Sequence, residues 1–487
     1  MTRREALSGG AVGIAALLGT GLFAGGCDKT RNPMRAPLPA SLKLPNRESG
    51  RIARVVNRVG FGPSPGQIGL VARMGLDAWL EAQLRADAHE DANLRIRVSR
   101  LPVYHLPAGE LANYPEAAVL AMLQQGAILR MVYSPNQLFE RMVDFWTNHF
   151  NVYARKGRAA FRKGADEVEV IRRHALGSFP AMLRASAKSP AMLVYLDNQA
   201  NTAAGPNENY ARELLELHTL GIDGGYTQKD VVEVARCLTG WTTERGFLRP
   251  TGTVKFEPGL HDDGEKIVLG HRIPPGGGAT DIDRVLDILV EHPSTGRHLA
   301  RKLCHHFLGE AGDAIRPQVA RAYQASRGDI REMLRPILGA PALTAGPPIL
   351  KRPIDFLVSA LRALDADTNG GREIQRHLDR MGQPLYQWPM PDGYPDHTGA
   401  WTGSLLARWN FAYSLAKGTI PRTSVRLEPL VGELGAPRVA ALMALILGLG
   451  PEDDRVLASQ ISNLGDGPDA LAVGAAVCLA SPAFQWR

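Results

Sequence analysis

From Arg51 onward, apolar residues recur three and four positions apart along almost the whole chain. Ile52, Val55, Val56 and Val59 set the pattern, and Gly60-Phe61-Gly62-Pro63 ends its first helix. Such spacing lays one apolar stripe along a helix, whereas a half-buried strand needs strict alternation. The same pattern predicts helices over roughly 65–86, 115–131, 135–151, 167–186, 206–220, 228–240, 281–309, 313–325, 328–338, 350–364, 402–416, 436–448 and 469–480. One stretch breaks it. Thr253-Val254-Lys255-Phe256 and Lys266-Ile267-Val268-Leu269 have strand chemistry, and His261-Asp262-Asp263-Gly264 between them reads as a turn. The expected fold is therefore mainly α, a multi-helix globular array over 51–487 with a small inserted β-hairpin at about 252–270.

A short echo runs through the helices. Met182-Leu183-Arg184 precedes Ser189-Pro190-Ala191, and Met333-Leu334-Arg335 precedes Ala340-Pro341-Ala342 at the same spacing. Ala480-Ser481-Pro482-Ala483 repeats the ending. This reads as a reused way of stopping a helix, since proline cannot continue one.

The first residues carry an address. Thr2-Arg3-Arg4-Glu5-Ala6-Leu7 leads into an uncharged, glycine-rich stretch that ends at Cys27-Asp28. A positive start, an apolar middle and small residues before a cut site make an export signal over 1–27, and the paired arginines point to the twin-arginine route. Ala24-Gly25-Gly26-Cys27 resembles the lipobox of bacterial lipoproteins, so Cys27 is the expected lipidated residue. Ala6 stands where such export signals usually carry a bulky residue, and Ala24 where the lipobox usually carries leucine. A cleaved signal without lipid and an uncleaved anchor are the alternatives, because residues 6–27 are long enough to span about 30 Å. Pro33, Pro37, Pro39 and Pro45 make 28–50 a linker or stalk. The expected location is the periplasmic side of a membrane, with Asp28 favouring the inner one.

The formal charge of +7 falls to about +6 once Arg3, Arg4 and Glu5 leave with the signal. This suits lipid headgroups or acidic glycans, and no basic run interleaved with aromatics argues for nucleic acid. Cys237, Cys304 and Cys478 are the cysteines after Cys27, and none forms a Cys-x-x-Cys pair. They are expected to be buried thiols.

Several segments carry chemistry. On the helix from Pro206 to Gly221, Asn209, Arg212, Glu213 and Glu216 share one face. Tyr210, Ala211, Leu214, Leu215 and Leu217 occupy the other, with His218 on the apolar side. An internally ion-paired surface helix and a carboxylate cluster for acid–base or metal work both fit this pattern. On the helix from Asn136 to Phe150, His149 lies within the apolar face. A buried imidazole needs a carboxylate, carbonyl, water or metal partner. Arg297, His298, Arg301, Lys302 and His305 form a basic stripe, expected as a solvated face or an anion site. Trp388-Pro389-Met390-Pro391-Asp392-Gly393-Tyr394-Pro395-Asp396 is a proline-held loop, followed by Trp401 and Trp409. Exposed aromatics beside carboxylates suit sugar stacking, and packed tryptophans are the alternative. No hydrolase, phosphate-loop or dinucleotide motif is present.

Asn207–Thr227, Phe145-Trp146-Thr147-Asn148-His149-Phe150, the His261–Lys266 turn, Ala300-Arg301-Lys302-Leu303-Cys304 and Trp388–Tyr394 together resemble the bacterial family known as domain of unknown function 1800. The likeness runs from about Arg51 to Arg487. It implies an exported, mainly helical protein whose partner is a co-encoded sulfatase- or phosphatase-like exported protein. It implies no reaction and no cofactor. The expected function is binding or assembly of an envelope partner or polymer. The alternative is a metal-assisted hydrolase of a glycan or ester, and a haem or metal redox carrier is the third reading. Candidate catalytic residues are Glu213, Glu216, His218 and His149. Candidate ligand-binding residues are Asn209, Arg212, His261, Asp262, Trp388, Asp392 and Tyr394.

Overall fold

The computed structural model describes residues 47–487 apart from 89, 246–249 and 468. The export signal, Cys27 and residues 28–46 of the linker lie outside the described residues. The described chain is mainly helical, with three two-stranded antiparallel sheets. Among the described residues no helix is long and apolar enough to cross a membrane.

The first helix spans Arg47–Val59, so the end of the expected linker is already helical. Nothing after Pro45 breaks the helix, and the turn before Arg51 propagates from it. Most predicted helices are present, several of them divided. The 65–86 segment splits at Gly75 into Gln67–Met74 and Leu76–Arg85. The 281–309 segment splits at His292 into Asp281–Glu291 and Pro293–Leu308, because Pro293 disfavours helical backbone before it and starts the next helix itself. Short helices such as Pro190–Tyr195 and Arg372–Arg380 escaped the pattern, being too brief to complete a periodic stripe.

The strands are real but their expected pairing is not. Pro250–Phe256 pairs with Trp241–Arg245, and Lys266–Val268 pairs with His271–Ile273. Leu269 and Gly270 make the second hairpin's turn with φ of 49° and 81°. Two positive φ values give the mirror-image turn that matches strand twist. His261–Gly264 is instead a loop pinned by side chains, described below.

The echo is structural. Phe179–Ala187 and Ile330–Leu338 start side by side, with Phe179 N–H donating to Gly328 O at 2.9 Å and Ile330 N–H to Gly177 O at 2.8 Å. Ser178 and Asp329 cap the two helices. Pro190, Pro341 and Pro482 each open a following short helix, so proline here starts a helix as well as ending one. The largest apolar core gathers residues from Ile52 to Leu343, including Trp146, Phe150, Phe179, Leu214 and Phe307. Cys237, Cys304 and Cys478 are buried free thiols.

Candidate functional site

Helix Glu208–Leu215 begins at Asn207, whose side chain accepts from Asn209 N–H. It runs directly into a π turn, Glu216–Leu220. Widening a helix leaves backbone carbonyls without their usual donors, and π turns collect at functional sites. Here side chains supply the donors. Thr219 Oγ1 donates to Leu214 O at 2.6 Å, His298 Nε2 to Leu217 O at 3.1 Å, and His149 Nε2 to His218 O at 3.2 Å. The other ring nitrogen of His149 accepts from Lys302 Nζ at 3.0 Å, and that of His298 from Arg301 at 3.3 Å. These partners assign both rings the neutral Nε2–H tautomer.

Sequence placed His149 and His218 on buried faces, and the fold brings them together with ring centroids 6.0 Å apart. Burial holds His149 well below the ordinary histidine pKa, with Lys302, His218 and His298 adding to the effect. Burial, Lys302 and His298 push His218 down to about 3. Neither ring nitrogen of His218 has a hydrogen-bond partner. His149 therefore closes a helix end, whereas His218 is a buried polar ring with no bond to lose. His149→Leu is expected to cost about 1–3 kcal/mol, because it strands a carbonyl and an ammonium. His218→Leu is expected to stay within about 1 kcal/mol of wild type. Urea unfolding of both variants checks this, and equal losses would overturn the assignment.

The basic stripe does not form one solvated face. On Pro293–Leu308, His298 is buried and Lys302 half-buried, while Arg301 is exposed. Burial pulls the Lys302 ammonium down to about 8, against the pull of Asp396. His305 Nε2 donates to Asp396 O at 3.3 Å, which ties the stripe to the tryptophan loop.

That loop is held by the motif around His149. Asn148 Oδ1 accepts from Tyr394 N–H at 2.7 Å and Asn148 Nδ2 donates to Tyr394 O at 3.0 Å. Asn151 donates to Trp388 O and Met390 O, and Tyr195 to Pro389 O. The aromatics pack on one another: Trp388 lies 5.0 Å from Tyr394, and Tyr394 6.1 Å from Trp401, centroid to centroid. Tyr394 and Trp401 are buried, Trp388 is half-buried and bonds Asp392 at 3.0 Å, and Trp409 is exposed.

Glu213 and Glu216 stand half-buried on the polar side of their helix. Burial first, then the charges of Glu216 and Asp392 against that of Arg212, together raise the Glu213 carboxyl to about 7. Glu216 accepts from Tyr226 Oη at 2.9 Å. Of the two i,i+4 pairs that the helix offers Arg212, the one with Glu208 forms, at 3.1 Å, and the one with Glu216 is not found among the described residues. Asn209 is exposed and donates to Leu196 O. Asp392 acts electrostatically on both Glu213 and Lys302, so the carboxylate face and the basic stripe meet at the loop.

Between stripe and loop lies a cleft of about 650 Å³, its open mouth included. It is lined by Lys302, His305, His306, Tyr394, Asp396 and Trp401, together with Arg352 and Arg487. Behind it runs a buried ion network. Arg352 bonds Asp144 and Asp355, and Arg141 bonds Asp355. A neighbouring pocket shares the Asn148, Arg352 and Tyr394 wall, and Arg172 grips Glu140 there through two 2.8 Å bonds.

His261 and Asp262 belong to another cluster. His261 contacts Thr239 Oγ1 at 3.1 Å and Asp281 at 3.4 Å, and Lys266 bonds Asp281 at 2.7 Å. Asp262 accepts from Arg236 at 2.7 Å, and these bonds hold its carboxyl below the usual range. These side chains pin the loop between the two hairpins. Sequence reasoning missed His306, Arg352 and Arg487, and named Asp396 only as part of its loop. The available signal was a charge inside an apolar run, as at Arg141 and Asp144 on the His149 helix.

Among the described residues no group of three or more His, Cys, Asp or Glu is placed to hold a metal ion. No curated protein and no solved structure matches the chain. A family model described as "Protein of unknown function (DUF1800)" matches residues 54–486, nearly all that the structure describes. The chain that closes this cleft from its own histidine helix, basic helix and tryptophan loop is a member of the DUF1800 family.

Proposed function

We propose that this is an exported envelope protein, lipid-anchored at Cys27 on the periplasmic side, that binds an envelope partner or polymer in the cleft. The observation that carries the reading is convergence. The tryptophan loop and the basic stripe are far apart in sequence, yet both line one opening and meet at His305 and Asp396. Small clefts with a few convergent polar groups are the usual form of ligand sites. The co-encoded sulfatase- or phosphatase-like protein is the proposed protein partner. Co-sedimentation with isolated envelope polysaccharide tests the reading. Retention is expected to fall about tenfold in a His305→Ala, His397→Ala double variant, whose changes lie at the mouth. Undiminished retention would overturn it.

A second reading is favoured by Glu213. A carboxyl raised to about 7 beside two further carboxylates is poised as a general acid–base group at neutral pH. This supports hydrolysis of a glycan or ester. The metal-assisted form finds no ligand set among the described residues. Hydrolysis of nitrophenyl esters and glycosides, lost in Glu213→Gln and falling away near pH 7, would support it. Activity unchanged by that substitution would remove it.

A further inference from the structure

We infer that the cleft recognises an oxyanion, a carboxylate, phosphate or sulfate group carried on a larger molecule, through Lys302 and the His306 ring. The inference rests on the cleft being a binding site and adds what it takes.

Free space inside the cleft is small, room for a few waters once the mouth is left out. A polymer chain does not fit there, but a terminal group does. Lys302 gives one hydrogen bond, to His149, and makes no ion pair among the described residues. Two of its donors are left for a ligand. His306 is among the residues around the same space, and its buried Nε2 has no hydrogen-bond partner. Arg487 Nε likewise has no hydrogen bond, its nearest carboxylate contact being Asp355 at 3.9 Å.

The charge balance behind the cleft has the matching sign. Arg141, Arg352 and Arg487 surround Asp355, and Arg352 also reaches Asp144. Lys351 and Arg408 lie buried in the same region and make no ion pair among the described residues. Lys351 Nζ rests 3.7 Å from the Phe484 ring centre, and Arg408 bonds Gln485 and the Lys351 carbonyl. Burial and mutual repulsion pull Lys351 down to about 7 and Arg487 down to about 9, as cations short of counter-charge require. The carboxylate facing the cleft is Asp396, which is exposed and turned toward His305. An anion entering beside Lys302 meets the two unused donors of the ammonium, with the unpartnered His306 ring and a buried positive field behind it.

Titration calorimetry on the purified full-length chain at low ionic strength, with inorganic phosphate, sulfate and acetate in turn, tests this. Saturable binding of at least one anion is expected, and the preferred one identifies the group on the natural ligand. Lys302→Met and His306→Phe should each weaken it about tenfold or more. Lys302→Arg keeps the charge and should retain most of the binding. His306→Phe preserves the packed ring, so a folding defect at Lys302 leaves the test intact. The inference falls if none of the three anions saturates, or if both variants bind as the wild type does. Retention on envelope polymer that excess phosphate, sulfate and acetate fail to displace would sink the oxyanion and leave the binding reading standing. Absence of any retention removes the reading itself.

Discussion

Replacing Asp355 with alanine is expected to remove about 3–5 kcal/mol of stability, near the top of the range for one substitution. Asp355 is fully buried and is the shared counter-ion of Arg141 and Arg352, with Arg487 at 3.9 Å. Deleting it removes the ion-pair partner of Arg141 and Arg487 and leaves Arg352 with Asp144. Burial alone would raise the Asp355 carboxyl, but Arg141, Arg352 and Arg487 hold it well below the ordinary range. A carboxyl with a depressed folded pKa stabilises fully above its unfolded value of about 4, and that contribution is lost as pH falls further. Urea unfolding at neutral pH should therefore separate wild type from Asp355→Ala widely, and the gap should narrow below about pH 4. A gap that is absent, or independent of pH, would mean that the arginines find other counter-ions.

Gly393→Ala should unseat the tryptophan loop. Gly393 has φ of 78°, a left-handed backbone that costs a residue with a Cβ about 1–3 kcal/mol. The added Cβ would also overlap the Asn148 carbonyl oxygen, a backbone atom that cannot swing aside. Overpacking of this kind adds about 1–3 kcal/mol. The chain can relieve both by lifting residues 388–396 from Asn148 and Asn151, which opens one wall of the cleft. Faster proteolytic cutting within that loop, with anion or polymer binding lost in parallel, is the expected result. A loop cut no faster than in wild type would show that the turn absorbs the methyl group. Asn148→Ala tests the same anchor more gently, since it removes two hydrogen bonds without adding bulk.

The two cases mark where sequence is legible. Helix periodicity placed Leu138, Met142 and Trp146 inside and put His149 and His218 on buried faces, because burial follows angle around one helix. It could not say that the two imidazoles meet, which depends on elements nearly 70 residues apart in the chain. It also missed why they are there. The widened turn after Leu215 creates the need for donors, and nothing in Glu216-Leu217-His218-Thr219-Leu220 announces a π turn. Strand chemistry at Thr253–Phe256 was visible, but its partner Trp241–Arg245 lacks alternation, so the nearer strand seemed the natural mate. For the aromatic loop, sequence left exposure and packing both open, and Tyr394 and Trp401 are packed against Leu350, a contact invisible to local composition.

The paired helix starts at Ser178 and Asp329 have a consequence for assembly order. Phe179 N–H bonds Gly328 O and Ile330 N–H bonds Gly177 O across about 150 residues, while Arg141 waits for Asp355 and Gly62 O for Arg362. Contacts of such high sequence separation slow folding and leave a growing chain unfinished at the ribosome. A chain tied this way cannot close its interior until residues past Arg362 have been made.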